Sequence, residues 1–116
     1  MKPYLHAKSS AKKWGGAPED YLELHDFMDS SKAAHASVKH RAVLHSAFGI
    51  YLAERVFGHN ITNSDGRAVS VRDLAEQHVL EDLGTIPSLD DWLKCMELQV
   101  WMGGPSKSVR TISLGD

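Results

Sequence analysis

At 116 residues, with 42% hydrophobic and 24% charged side chains, the chain has the size and composition of one globular domain, which excludes a second core and disorder through most of its length. Thirteen Lys and Arg against 15 Asp and Glu leave a formal charge of −2, so charge gives no reason to bind nucleic acid. The single cysteine, Cys95, excludes an intramolecular disulfide, and no apolar run approaches the roughly 20 residues of a membrane span.

Met1 to Ala17 reads as an irregular, solvated lead-in with at most one short helical turn, with Lys8, Lys12 and Lys13 near Trp14, and Met1 to Lys13 lacks the apolar stretch of a signal peptide. The expected compartment is the cytoplasm, where Cys95 would be a buried, inert thiol. Pro18 suits a first helical position and Glu19 and Asp20 complement a helix dipole, which predicts a helix through Met28. Asp29-Ser30-Ser31 marks its end.

From Ser31 to Phe57 there is no proline, and apolar residues recur at helical intervals up to a Gly58 cap. This predicts one long helix, apolar on nearly every side and therefore central. Asn63-Ser64-Asp65-Gly66 between Ile61-Thr62 and Ala68-Val69 predicts a short β-hairpin or ordered loop at about 59–70. Ser70 with Asp73, and Gly84 beyond, bracket a helix over Val71 to Leu83. Thr85-Ile86-Pro87 stops it, and Ser88 with Asp91 opens a last helix expected to run to about Val100. The fold expected is mostly α: a compact bundle of about four helices around a long central one, as a single domain over 1–102 with a flexible tail at 103–116. A homodimer could cover apolar surface that so short a chain leaves open.

Histidine is the unusual component, present seven times, at 6, 25, 35, 40, 45, 59 and 78. It is the commonest metal ligand. His78 and Asp82 are four residues apart on the best-capped helix, where an imidazole and a carboxylate overlie one another and can grip one ion. His25 and Asp29 repeat the spacing, although Asp29 stands at a helix end, where capping is its other use. Two such pairs facing each other resemble the ligand pattern of metal sites in helical bundles.

On a straight helix His40 and His45 diverge by about 140°, so only one can reach a shared ion. His40 is the better candidate ligand, and His45, among Phe48, Leu52 and Val38, the better candidate for a hydrogen-bonded core role. Glu54 is about 21 Å from His40 along such a helix and cannot serve the same site. Glu76 is expected to pair with Arg72 one turn before it. The adjacent His25-Asp26 matches the dipeptide of metal-dependent HD phosphohydrolases, an analogy of mechanism alone. Phosphate-cradling loops, the nucleophile elbow and H-E-x-x-H are absent from the sequence.

Lys13-Trp14-Gly15-Gly16, Glu19-Asp20-Tyr21, Lys39-His40-Arg41-Ala42, the run Glu76 to Gly84, and Ile86-Pro87 with Asp91-Trp92 together resemble a family of small proteins found in bacteria and tailed phages, a domain of unknown function. The resemblance spans about residues 6 to 102 and implies no activity. His6, His25, His40, His45, His78 and Asp82 match its pattern, while Lys39 stands where relatives carry arginine and Ser46 where they carry a second histidine.

These readings converge on a metal-binding helical protein in which His25, His40, His78 and Asp82 hold one divalent ion, with His45 or His6 as substitutes. Zinc is the first expectation, with manganese, iron and nickel as alternatives. An open coordination position would make it a metal-dependent hydrolase of a small-molecule substrate. The alternative is a non-enzymatic interaction protein, of phage or bacterial origin, acting on a host protein. In that case the histidines are structural, and Trp14, Trp92 and Trp101 are candidate anchors.

Overall fold

The computed structural model describes residues 1–103. Its elements in chain order are helices α1 (Pro3–Trp14), α2 (Glu19–Met28) and α3 (Ala47–Phe57), strands β1 (Asn60–Thr62) and β2 (Ala68–Ser70), then helices α4 (Val71–Leu83) and α5 (Leu89–Leu93). Short 3-10 turns occupy Ser30–Ala33, Val38–Ala42 and Val100–Met102. The fold is mostly helical with one small antiparallel hairpin, as the sequence implies. None of the described helices is long and apolar enough to cross a membrane.

The N-terminal segment is a helix and not the irregular lead-in expected. Pro3 opens α1, Lys12 and Lys13 complement the negative end of its dipole, and Gly15, at φ +87°, ends it. Its buried face is His6, Ala7 and Ser10, so the apolar periodicity that usually betrays a helix is replaced by polar side chains with specific partners.

α2 runs close to expectation and buries Tyr21, Leu24, His25 and Met28. The hairpin turn clamps the α1–α2 junction. Buried Asn63 donates to the Tyr21 hydroxyl at 3.0 Å, and Asp20 accepts from the backbone N–H and hydroxyl of Ser64. The strands pair Asn60 with Ser70 and Thr62 with Ala68.

The long helix expected over Ser31 to Phe57 is broken. Ser37 and Ser46 turn their hydroxyls onto backbone N–H groups, of Lys39 and Gly49 respectively, and each starts a new element. The Leu44 carbonyl folds back into the space that a Cβ on residue 49 would fill, so Gly49 permits the break. Only Ala47 to Phe57 remains α-helical, and the Ala47 N–H bonds to the Pro87 carbonyl. The central helix is instead α4, which packs against α1, α2, α3 and β2 and buries Val71, Leu74, Ala75 and Val79. Its ends are those the sequence marks, with Ser70 accepting from the Asp73 N–H and Gly84 in the left-handed conformation.

α5 stops at Leu93, well short of the expected Val100. Its capping box forms, but Met96, Leu98, Val100 and Trp101 are exposed, and a helix without a packed face has little to sustain it. Cys95 is exposed, contrary to the buried thiol expected. Beyond Gly103, the tail expected to be flexible lies outside the described residues.

Candidate metal centre

Four elements deliver imidazoles and carboxylates to one buried point. α1 carries His6, α2 carries His25 and leads into Asp29, the turn before α3 carries His45, and α4 carries His78 and Asp82. His6, His25, His45 and His78 are each fully buried, and the Asp82 side chain is 1% exposed. His78 and Asp82 meet at 3.3 Å across one turn of α4, as their spacing implies. Asp29 makes no capping bond with its side chain; its carboxylate turns instead to His78 Nε2 at 3.2 Å.

The hydrogen-bond partners fix which ring nitrogens carry hydrogen. Gln77 donates its amide to the His6 carbonyl at 3.0 Å and to Glu81 at 2.9 Å, which turns its Oε1 to the Ser10 hydroxyl at 2.5 Å. Ser10 donates there, so it must accept from His25 Nε2 at 2.8 Å. Burial, with repulsion from His78 and His6, pulls His25 down to about 3, so the ring is neutral and its Nδ1 is an acceptor. His78 Nδ1, 2.9 Å away, is therefore the donor. With that hydrogen committed, His78 Nε2 faces Asp29 at 3.2 Å and Asp82 at 3.3 Å. An atom so placed holds a proton or a metal ion.

His6 repeats this logic. Its Nδ1 donates to Glu81 at 2.7 Å, leaving the Nε2 lone pair directed at Asp82 Oδ1, 3.2 Å away, with no hydrogen-bond partner. A lone pair facing a carboxylate in a buried site is repulsive unless a cation lies between them. Burial, then repulsion from His78, lowers His6 and keeps it neutral.

The charges agree with the geometry. Burial works against ionisation of Asp82, but hydrogen bonds from His78 and His45 outweigh it and hold the carboxyl far below its ordinary range. Asp29 is lowered in the same way, through His78. His78 is raised, because its bonds to the two carboxylates outweigh desolvation.

One nitrogen or oxygen each from His6, Asp29, His78 and Asp82 lies within 4.8 Å of the other three. Ligand atoms about 2.1 Å from a metal stand roughly 3.0 Å apart in an octahedron and 3.4 Å apart in a tetrahedron. The separations of His6 Nε2 from Asp82 Oδ1 and of His78 Nε2 from Asp29 Oδ1, both 3.2 Å, fall between the two. Two carboxylates match one divalent charge, and an ion here would share Asp82 Oδ1 with the Met1 ammonium, which donates to it at 3.2 Å, and with Arg41 at 3.8 Å.

The structure distributes the expected ligands unevenly. His78 and Asp82 lie at the centre, joined by Asp29 and by His6, which the sequence ranks as a substitute. His25 belongs to a second close group, with His6 and His78, but both of its ring nitrogens are engaged, by Ser10 and by His78. Its place is behind His78, as an orienting partner. His40 is outside both groups, with Nδ1 on the Ser31 hydroxyl at 3.0 Å. His45 instead reaches Asp82 Oδ2 at 2.8 Å and stands 3.6 Å from Asp29, because the break before α3 removes the straight-helix geometry that set these two histidines against each other. Ser10, Gln77 and Glu81 are additions to the sequence reading. Their one local signal is spacing, since Ser10 follows His6 by four residues and Glu81 follows Gln77 by four.

Glu76 pairs with Arg72 at 3.2 Å, as expected. Asp26, beside His25, belongs to neither close group and lines a cleft of about 400 Å³ that Asp29 and Arg41 also line.

The fold and site define a small helical protein with a buried histidine and carboxylate cluster able to hold a metal ion. The chain belongs to the family described as domain of unknown function DUF6915, matched over residues 1–102. No curated protein and no solved structure matches it.

Proposed function

We propose that the protein binds one divalent transition-metal ion through His6 Nε2, His78 Nε2, Asp29 and Asp82, and that this centre performs metal-assisted hydrolysis. What supports the reading above all is that the imidazole hydrogens of His6 and His78 are committed to Glu81 and His25, leaving both Nε2 atoms aimed at carboxylates, the buried Asp82 and the half-buried Asp29. Mixed nitrogen and oxygen donors suit zinc first, then manganese or iron. His45 steadies the second oxygen of Asp82. Asp29 is the ligand that borders the cleft, so substrate and water would approach from its side. A divalent ion with a free position there acidifies bound water toward neutral pH.

The test is elemental analysis of protein purified without nickel resin, beside His78→Ala and Asp82→Asn. About one equivalent of metal is expected in the parent and none in the folded variants. A parent without stoichiometric metal after incubation with zinc, manganese or iron would end this reading.

A second reading rests on the exposed apolar segment after α5, where Trp101 is 80% exposed and Leu98 59%. On it the chain is a binding protein for another protein, with structural histidines. Thermal stability unchanged by chelator would favour it.

A further inference from the structure

The cleft beside the centre has a chemistry of its own. Lys2, from the start of α1, Lys32, from the Ser30–Ala33 turn, and Arg41, from the Val38–Ala42 turn, converge on it, with Met1, Pro3, Asp26, Asp29 and His40 completing the wall and the Met1 ammonium committed to Asp82 Oδ1 at 3.2 Å. Among the described residues, neither lysine has a carboxylate within ion-pair distance, and Arg41 reaches Asp82 Oδ1 only at 3.8 Å. The Arg41 Nε is buried without a hydrogen-bond partner. A guanidinium with an unused buried donor is ready to grip an oxyanion.

Of the two acids in the wall, Asp29 is turned to His78 and His45. The remaining balance is cationic. Three cations from separate segments suit a doubly charged, tetrahedral group, which can offer one oxygen to Arg41, another to the lysines and a third toward Asp29 and the metal. A planar carboxylate has only two oxygens and one charge. A cleft of about 400 Å³ has room for a small metabolite.

We propose that this cleft binds the phosphoryl group of a small phosphomonoester, held by Lys2, Lys32 and Arg41 next to the metal centre. The proposal deepens the hydrolytic reading and rests on it for the role of the ion. The step it implies is attack of water on phosphorus, with cleavage of the P–O bond to the alcohol: inorganic phosphate forms, and the alcohol leaves with a proton.

Calorimetric titration with inorganic phosphate and with phenyl phosphate, against acetate, tests the cleft on protein whose metal content is measured in the same samples. Lys32→Glu and Lys2→Gln change exposed side chains and should leave the fold intact. Both phosphate probes are expected to bind at least tenfold more tightly than acetate. Lys32→Glu should weaken them by tenfold or more, and Lys2→Gln by about threefold. Equal binding of acetate, or phosphate affinity untouched by Lys32→Glu, overturns the proposal. Ion-loaded protein that binds no phosphate sinks the cleft and leaves the metal centre standing. Phosphate binding by protein that takes up no metal on incubation with zinc, manganese or iron does the reverse.

Discussion

Replacing His25 separates a ligand from a residue that orients one. Its Nδ1 accepts from His78 at 2.9 Å and its Nε2 donates to Ser10 at 2.8 Å, so no lone pair remains for a metal. His25→Ala should keep a stoichiometric site while lowering metal affinity 10- to 100-fold, the usual effect of losing an outer-shell partner, or about 1.4–2.7 kcal/mol. The fold suffers as well. Two buried groups, His78 Nδ1 and Ser10 Oγ, lose a partner at about 1–3 kcal/mol each, in a domain whose total stability is on the order of 5–15 kcal/mol. His25→Gln guards against an unfolded variant, because its amide oxygen can accept from His78 while its nitrogen donates to Ser10. It should fall less than tenfold in affinity. Competition with a fluorescent zinc chelator gives the affinities, and circular dichroism confirms the fold. If folded His25→Gln loses metal as completely as His78→Ala, the hydrogen assignment is wrong and His25 is itself a ligand.

Without metal, the protein should lose stability on acidification below about pH 6.5. His25 has a folded pKa depressed to about 3, so the unfolded chain binds the extra proton and stability declines by up to about 1.4 kcal/mol per pH unit between 6.5 and 3. His6 and His45, lowered chiefly by burial, act in the same direction. His78 is raised and acts oppositely, its contribution being complete below pH 6.5 and lost as pH climbs through its folded value. Three against one gives the net sign. Urea unfolding of chelated protein at pH 7.5 and 5.5 checks it, and equal or greater stability at 5.5 would contradict the burial of neutral histidines. Gly49→Ala should destabilise by at least about 2 kcal/mol, although the same change inside a helix usually gains close to 1 kcal/mol, because the new Cβ meets the Leu44 carbonyl. A melting temperature equal to the parent's would mean that the break before α3 is not held as described.

Features written in a few neighbouring residues were legible in the sequence. Ser70 and Gly84 bracket α4, Pro18 and two acids open α2, and the Asn63 to Gly66 turn joins two β-prone triplets, since caps and turns are satisfied within three or four positions. The pair His78 and Asp82 was legible for the same reason. α1 was not, because its buried face is polar and its value lies in partners such as Glu81 and Gln77, which are 75 and 67 residues distant from His6 and Ser10.

The stretch from 31 to 57 shows what only tertiary structure decides. Its composition favours one helix, but two serine caps and a carbonyl tucked against Gly49 divide it, and that division turns His45, and not His40, toward Asp82. Sequence determined which residue types could build a metal centre and where most helices begin. The chain's long-range folding decided which nitrogen keeps its hydrogen, because a tautomer is set by the acceptor across the core, and no local spacing encodes that acceptor.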